Sequence, residues 1–114
     1  MIDKLLVDMG RGSSPEENLQ LAVAANAIHD YIYAKPPRAG RMNYRHLLLE
    51  YYRLMRNTVS YLFTDEGVWL ESENGEHKAN VFAFPYVCKW FDLPLAEIRE
   101  AIVKQRKELN RKGE

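Results

Sequence analysis

A chain of 114 residues with sixteen basic and sixteen acidic residues has room for one hydrophobic core and carries no net charge to draw it toward nucleic acid or an anionic membrane. Its 46% hydrophobic and 28% charged residues are the mixture of an ordinary globular protein and exclude a disordered one. A single cysteine, Cys88, excludes an internal disulfide and a cysteine-paired zinc site. No apolar run reaches the roughly 18 to 20 residues of a membrane span, and the N-terminus lacks the basic and apolar regions of a secretory signal, so a cytoplasmic protein without membrane contact is expected.

The first ten residues place Ile2, Leu5, Leu6 and Met9 at the spacing of one helical face, with Gly10 where a helix would stop. Residues 1–13 therefore read as a short amphipathic helix and a joint, docked on the chain's own core or on a partner chain. Ser14, Pro15 and Glu17 then form a helix start: Ser caps, Pro suits the first turn, and Glu reaches back to the cap. This helix is predicted to run to about Tyr33, with Leu21, Ala25, Ile28 and Ile32 on one stripe and Ala22, Ala24 and Ala27 permitting close approach of a neighbour. Pro36, Pro37 and Gly40 end it and make a turn.

A second long helix is expected over about 43–63, where Tyr44, Leu47, Leu48, Tyr51, Leu54, Met55, Thr58 and Leu62 recur at helical spacing. The two helices, spanning 14–63, are expected to pack antiparallel as a helical hairpin. The connector 64–81 carries two competing signals. Thr64, Asp65 and Glu66 suit a fresh helix start ahead of Trp69 and Leu70, which is the favoured reading. Asn74-Gly75 suits a hairpin pairing 68–72 with 77–82, which is the alternative.

Residues 82–110 have the pattern of a helix-turn-helix unit. Val87 and Phe91 form the inner face of its first helix, Cys88 the small position where the second helix crosses, and Asp92 the turn. Leu93 locks that turn, Pro94 suits the first turn of the next helix, and Ile98 with Ile102 form its inner face. Asp at the turn tolerates a left-handed backbone better than most residues other than Gly. The fold expected is all-α, a single domain of four to five helices in a small bundle with a C-terminal helix-turn-helix-like unit.

Trp69-Leu70, Phe82-Ala83-Phe84, Val87-Cys88, Leu93 and Ile98-Arg99 together resemble a set of small bacterial and phage proteins. Their C-termini carry a Phe-x-Phe-x-x-Val-Cys pattern, a Leu-Gly-Leu-like turn and an Ile-Arg or Val-Arg pair. The resemblance covers roughly the last 45 residues and, more loosely, the helix near Leu21; it implies a helical domain ending in a helix-turn-helix and little about activity. The chain differs from this pattern at Phe91-Asp92, where Leu-Gly is usual.

Two functions follow as expectations. The first is a non-catalytic DNA-binding regulator, as a monomer or homodimer, holding phosphates through Arg99, Lys104, Arg106 and Lys107 with Lys89 on the preceding helix. The second is a protein-interaction module, in which Leu95, Ala96 and Val103 of the second helix meet a protein partner. Charge is also segregated along the chain. Lys35, Arg38, Arg41, Arg45, Arg53 and Arg56 share their stretch with Glu50 alone, and Asp65, Glu66, Glu71, Glu73 and Glu76 cluster in the next; the two stretches either screen each other or leave a basic face.

No enzyme is expected. His46 and Glu50 stand four apart and His29 adjoins Asp30, too few ligands for a metal, and both histidines read as surface residues. Cys88, at an inward small position, reads as an inert core thiol. No glycine-rich phosphate loop or serine-centred elbow is present, so no cofactor is expected. Trp69, Trp90 and most tyrosines read as packing residues, with Tyr33, Tyr52 and Tyr61 off the main stripe as the exposed candidates.

Overall fold

The computed structural model describes residues 14–40, 42–71 and 73–112; the expected amphipathic segment 1–13 lies outside them. Within the described residues the chain forms four helices and one antiparallel hairpin, a mainly α bundle: α1 Pro15–Tyr33, α2 Tyr44–Phe63, β1 Trp69–Glu71, β2 His77–Ala79, α3 Phe84–Trp90 and α4 Leu95–Lys112.

Helix α1 begins as its sequence dictates. Ser14 is the N-cap, its hydroxyl oxygen accepts the Glu17 N–H at 3.1 Å, and Pro15 occupies the first turn. Its buried face is Leu21, Ala24, Ile28, Tyr31 and Ile32, so Ala24 takes the innermost alanine position and Ala25 stands at the margin. Gln20 is buried too, and its amide donates to the Val81 carbonyl at 2.7 Å, which satisfies the group and ties α1 to the approach to α3.

The expected antiparallel pairing of the first two long helices is not what forms. Tyr31, near the end of α1, meets Phe63, at the end of α2, with ring centroids 5.0 Å apart. In a tight antiparallel hairpin those two ends would lie a helix length apart, about 30 Å for twenty residues. The ten residues 34–43 make the observed arrangement possible. Residues 34–38 leave the helix as extended chain through Pro36 and Pro37, which carries the chain away from the end of α1 before it turns at Gly40 with φ +90°. The core therefore gathers around the C-terminal end of α2, where Thr58 and Leu62 are its buried residues, and the predicted inner stripe Tyr44, Leu47, Leu48 and Tyr51 is only half-buried.

The favoured helix after Thr64 does not form, and the hairpin does, in the register Trp69 to Ala79, Leu70 to Lys78 and Glu71 to His77. Thr64 is consumed closing α2: its hydroxyl donates to the Ser60 carbonyl at 2.6 Å and accepts the Glu66 N–H at 3.2 Å. Gly67 then takes φ +76°, a conformation outside the right-handed helix. Asn80 fastens the base of the hairpin through its amide to the Gly67 carbonyl and its side-chain oxygen to the Phe82 N–H.

The C-terminal pair follows its expected pattern at the turn and on both inner faces, with Pro94 flanking the second helix and not within its first turn. Val87, Cys88, Ile98 and Ile102 are buried with Phe84 in one cluster, and Phe91, Leu93 and Leu95 pack against it. Asp92 has φ +54°, the Leu93 N–H donates to the Cys88 carbonyl at 2.7 Å, and the Asp92 N–H donates to the Lys89 carbonyl at 3.3 Å. That pair of bonds is the Schellman termination of a helix, with Leu93 as the apolar residue folded back over it. Asp at this position costs energy that Gly avoids, so Asp92→Gly is expected to raise stability by roughly 0.5 kcal/mol, and Asp92→Val to lower it by about 1–2 kcal/mol, read as urea midpoints.

Candidate nucleic-acid and protein interface

The residues proposed for phosphate contact separate into two groups once folded. Arg99 points back into the protein: its Nε donates to the Leu62 carbonyl at 2.7 Å, one Nη donates to the Thr64 carbonyl at 3.4 Å, and the same group stands 3.7 Å from the Asp65 carboxylate. It neutralises the negative end of α2 and ties α4 to it. Arg106 is also committed, with its guanidinium carbon 4.6 Å above the centre of the Tyr31 ring. Lys89, Lys104 and Lys107 are exposed, but Glu97 and Glu100 share the outer face at the beginning of α4, where a DNA-reading helix would meet the phosphates.

The apolar candidates on α4 are also less available than expected. Leu95 packs against the core, Val103 is half-buried beside a groove lined with Phe63, Lys104, Lys107 and Arg111, and Ala96 alone is exposed. A small methyl surface offers little to a partner.

A more extensive surface lies on the first half of α2. Arg45, Leu49, Tyr52 and Arg56 follow one another at helical spacing along its outer side with Arg53 beside them, and all are exposed, Leu49 at 60% and Tyr52 at 57%. Leu54 and Val59 add exposed apolar area on the flanks. Among the described residues, Lys35, Arg38, Arg45, Arg53 and Arg56 have no ion-pair partner, and the ion pairs present are His46 with Glu50 at 3.0 Å and Arg99 with Asp65. The basic stretch and the acidic stretch therefore do not screen each other through direct pairs, and a basic face exists on α2.

The hairpin is its counterpart. Trp69 and Leu70 are exposed, as are Glu71, Glu73 and Glu76. Trp69 was expected to supply packing, as was Trp90, and both stand largely in solvent at 64% and 57%. The reason differs for each. A two-stranded hairpin has two faces, and the strand residues on both faces of this one are exposed. Trp90 lies on the outer side of α3, stacked on Tyr86 and donating its indole N–H to Glu17 at 3.2 Å. Of the tyrosines placed off the main stripe, Tyr33 and Tyr52 are exposed, but Tyr61 turns inward and donates its hydroxyl to the Phe82 carbonyl at 2.7 Å. The α2 surface carries a sequence signal, the run of arginines, beside the stripe of Leu48, Tyr51 and their neighbours that the core only half covers.

The titratable interior is structural in character. Burial pushes the Cys88 thiol up to about 11, with the nearby Arg99 charge pulling partly the other way. Burial, with the Cys88 charge added, holds the Tyr61 phenol well above its usual range. Among the described residues no three or more of His, Cys, Asp and Glu are placed to share a metal ion, and no helix is long and apolar enough to cross a membrane.

Two outcomes follow. Arg99→Ala leaves the end of α2 without its charged donor and is expected to cost about 1.5–3 kcal/mol in chemical denaturation. Between the thiol's ordinary value of 9.0 and its folded value of about 11, the unfolded chain releases a proton that the folded chain keeps, so stability falls as pH rises through that window. Melting temperatures across it are expected to decline less steeply in Cys88→Ala than in the parent protein.

No protein-family model, no curated protein and no solved structure matches the chain, so the likeness to the small bacterial and phage proteins rests on the residues quoted for it.

Proposed function

We propose that this protein is a non-catalytic protein-interaction module whose contact surface is the first half of α2, and that its helix-turn-helix-like pair serves as the support holding that helix in place. One observation carries the reading: α2 presents Leu49 and Tyr52 between arginines that have no acid partner among the described residues, whereas Arg99 and Arg106 of the C-terminal pair are spent on contacts within the chain.

Tyr and Arg around a central aliphatic residue are the composition of interface centres, because each buries a large area and each has a polar end that finds a partner at the rim. A helix with apolar residues around its circumference is stable when it is covered. Leu48, Leu49, Tyr51, Tyr52 and Leu54 place such residues on most sides of α2, and the chain's own core covers part of one side. The DNA-binding alternative draws on the helix-turn-helix geometry, and of its remaining cations Lys104 and Lys107 share α4 with Glu97, Glu100 and Glu108, leaving Lys89 on α3.

A photo-crosslinking amino acid placed at position 49 or at position 104, in cells making the protein, distinguishes the two. Protein adducts from position 49, with none from position 104, are the expected result. Nucleic-acid adducts from position 104 and no protein adduct from position 49 would replace this reading with the DNA-binding one.

A further inference from the structure

The proposed interaction surface has a chemical complement on the same chain. The α2 face is apolar and basic: Leu49 and Tyr52 are bordered by Arg45, Arg53 and Arg56. The hairpin is apolar and acidic: Trp69 and Leu70 are bordered by Glu71, Glu73 and Glu76, with Lys78 the one lysine on its strands. Each surface is incomplete in its own way. The helix exposes apolar side chains that water does not favour, and the hairpin is an isolated pair of three-residue strands exposed on both faces, a unit that has little stability without cover. Neither set of charges is paired with the other within one chain, among the described residues.

Resting on the reading of α2 as the contact surface, we infer that its partner is a second copy of this chain, whose acidic hairpin lies across the basic face of α2. In the two-fold symmetric form each molecule gives its hairpin and receives the other's, so two equivalent contacts close the assembly as a dimer. Trp69 of one copy, which shares a face of its strand with Glu71, covers Leu49 and Tyr52 of the other, and the glutamates meet the arginines at the rim.

Light scattering and sedimentation on the full chain test this through charge reversal. The parent protein is expected at twice its 13.3 kDa mass at high concentration, dissociating on dilution and more readily at about 500 mM salt than at about 50 mM, where charges are less screened. Arg53→Glu with Arg56→Glu, and separately Glu73→Arg with Glu76→Arg, each place like charges in both contacts and are expected to weaken self-association by about tenfold or more. These residues are exposed and have no ion-pair partner among the described residues, and circular dichroism checks that both variants stay folded.

Mixing the two variants restores opposite charges at both contacts, so a one-to-one heterodimer is expected to reappear. A parent protein that stays monomeric at every concentration overturns the inference, as does a dimer indifferent to both reversals or a mixture that fails to associate. A monomeric chain that still yields adducts with a different protein from position 49 would overturn self-pairing alone and leave the α2 surface in place.

Discussion

A helix of twenty residues ends in carbonyl groups that no residue of the helix can satisfy, and in this protein Thr64 takes that of Ser60 while the guanidinium of Arg99 meets that of Leu62 and the carbonyl of Thr64 beyond it. Much of the architecture depends on the Arg99 bond. It fixes α4 against the C-terminal end of α2, and α3 follows because the Asp92 turn and the shared cluster of Val87, Cys88, Ile98 and Ile102 leave the two short-linked helices a single relation. Helix α1 packs on the same end through Tyr31 and Phe63, and Arg106 lies over the Tyr31 ring to hold it. Helix α1 packs against all three other helices, α4 reaches the end of α2 through the Arg99 side chain, and the first half of α2 is left half-buried or exposed.

The same interaction redirects the functional reading. An arginine at the start of a second helix in a helix-turn-helix pair is, by position, a candidate for phosphate or guanine. Folding uses its donors on backbone carbonyls, where a charged hydrogen bond in a partly dry setting is worth more than a solvated charge. The cations that remain exposed on α4 alternate with acids at spacings of three and four residues, such as Glu100 with Lys104 and Glu108 with Lys112, which is the pattern of a solvated helix. Unbalanced charge is found instead at two places outside that unit, on α2 and on the hairpin, and each is next to apolar side chains.

Local rules were legible wherever a single short segment settles the outcome. Ser14, Pro15 and Glu17 specify a helix start because cap, ring and carboxylate act within one turn. Asp92 and Leu93 specify the second turn for a similar reason, and Cys88 specifies the close crossing by its size. Thr64 was misleading because a hydroxyl that suits a helix start also suits a helix end, and only the neighbouring Ser60 carbonyl and the backbone of Gly67 decide between them. Trp69 and Trp90 were misleading because a large aromatic is assigned to a core by default, whereas its burial depends on there being an element to cover it.

What the sequence by itself determined, then, are the properties that arise within a few residues: helix starts and stops, the left-handed turn, the inner faces of the C-terminal pair, and the segregation of basic from acidic stretches. Periodicity also identified the stripe along α2, but a period says which residues share a face and nothing about how far along the helix a neighbour reaches. The tertiary structure alone decided that extent, through the meeting of Tyr31 with Phe63 and the bond from Arg99 to the Leu62 carbonyl at the far end of α2. Both are contacts between residues some thirty or more positions apart, whose energies depend on three-dimensional distance, and a one-dimensional pattern contains no measure of that distance.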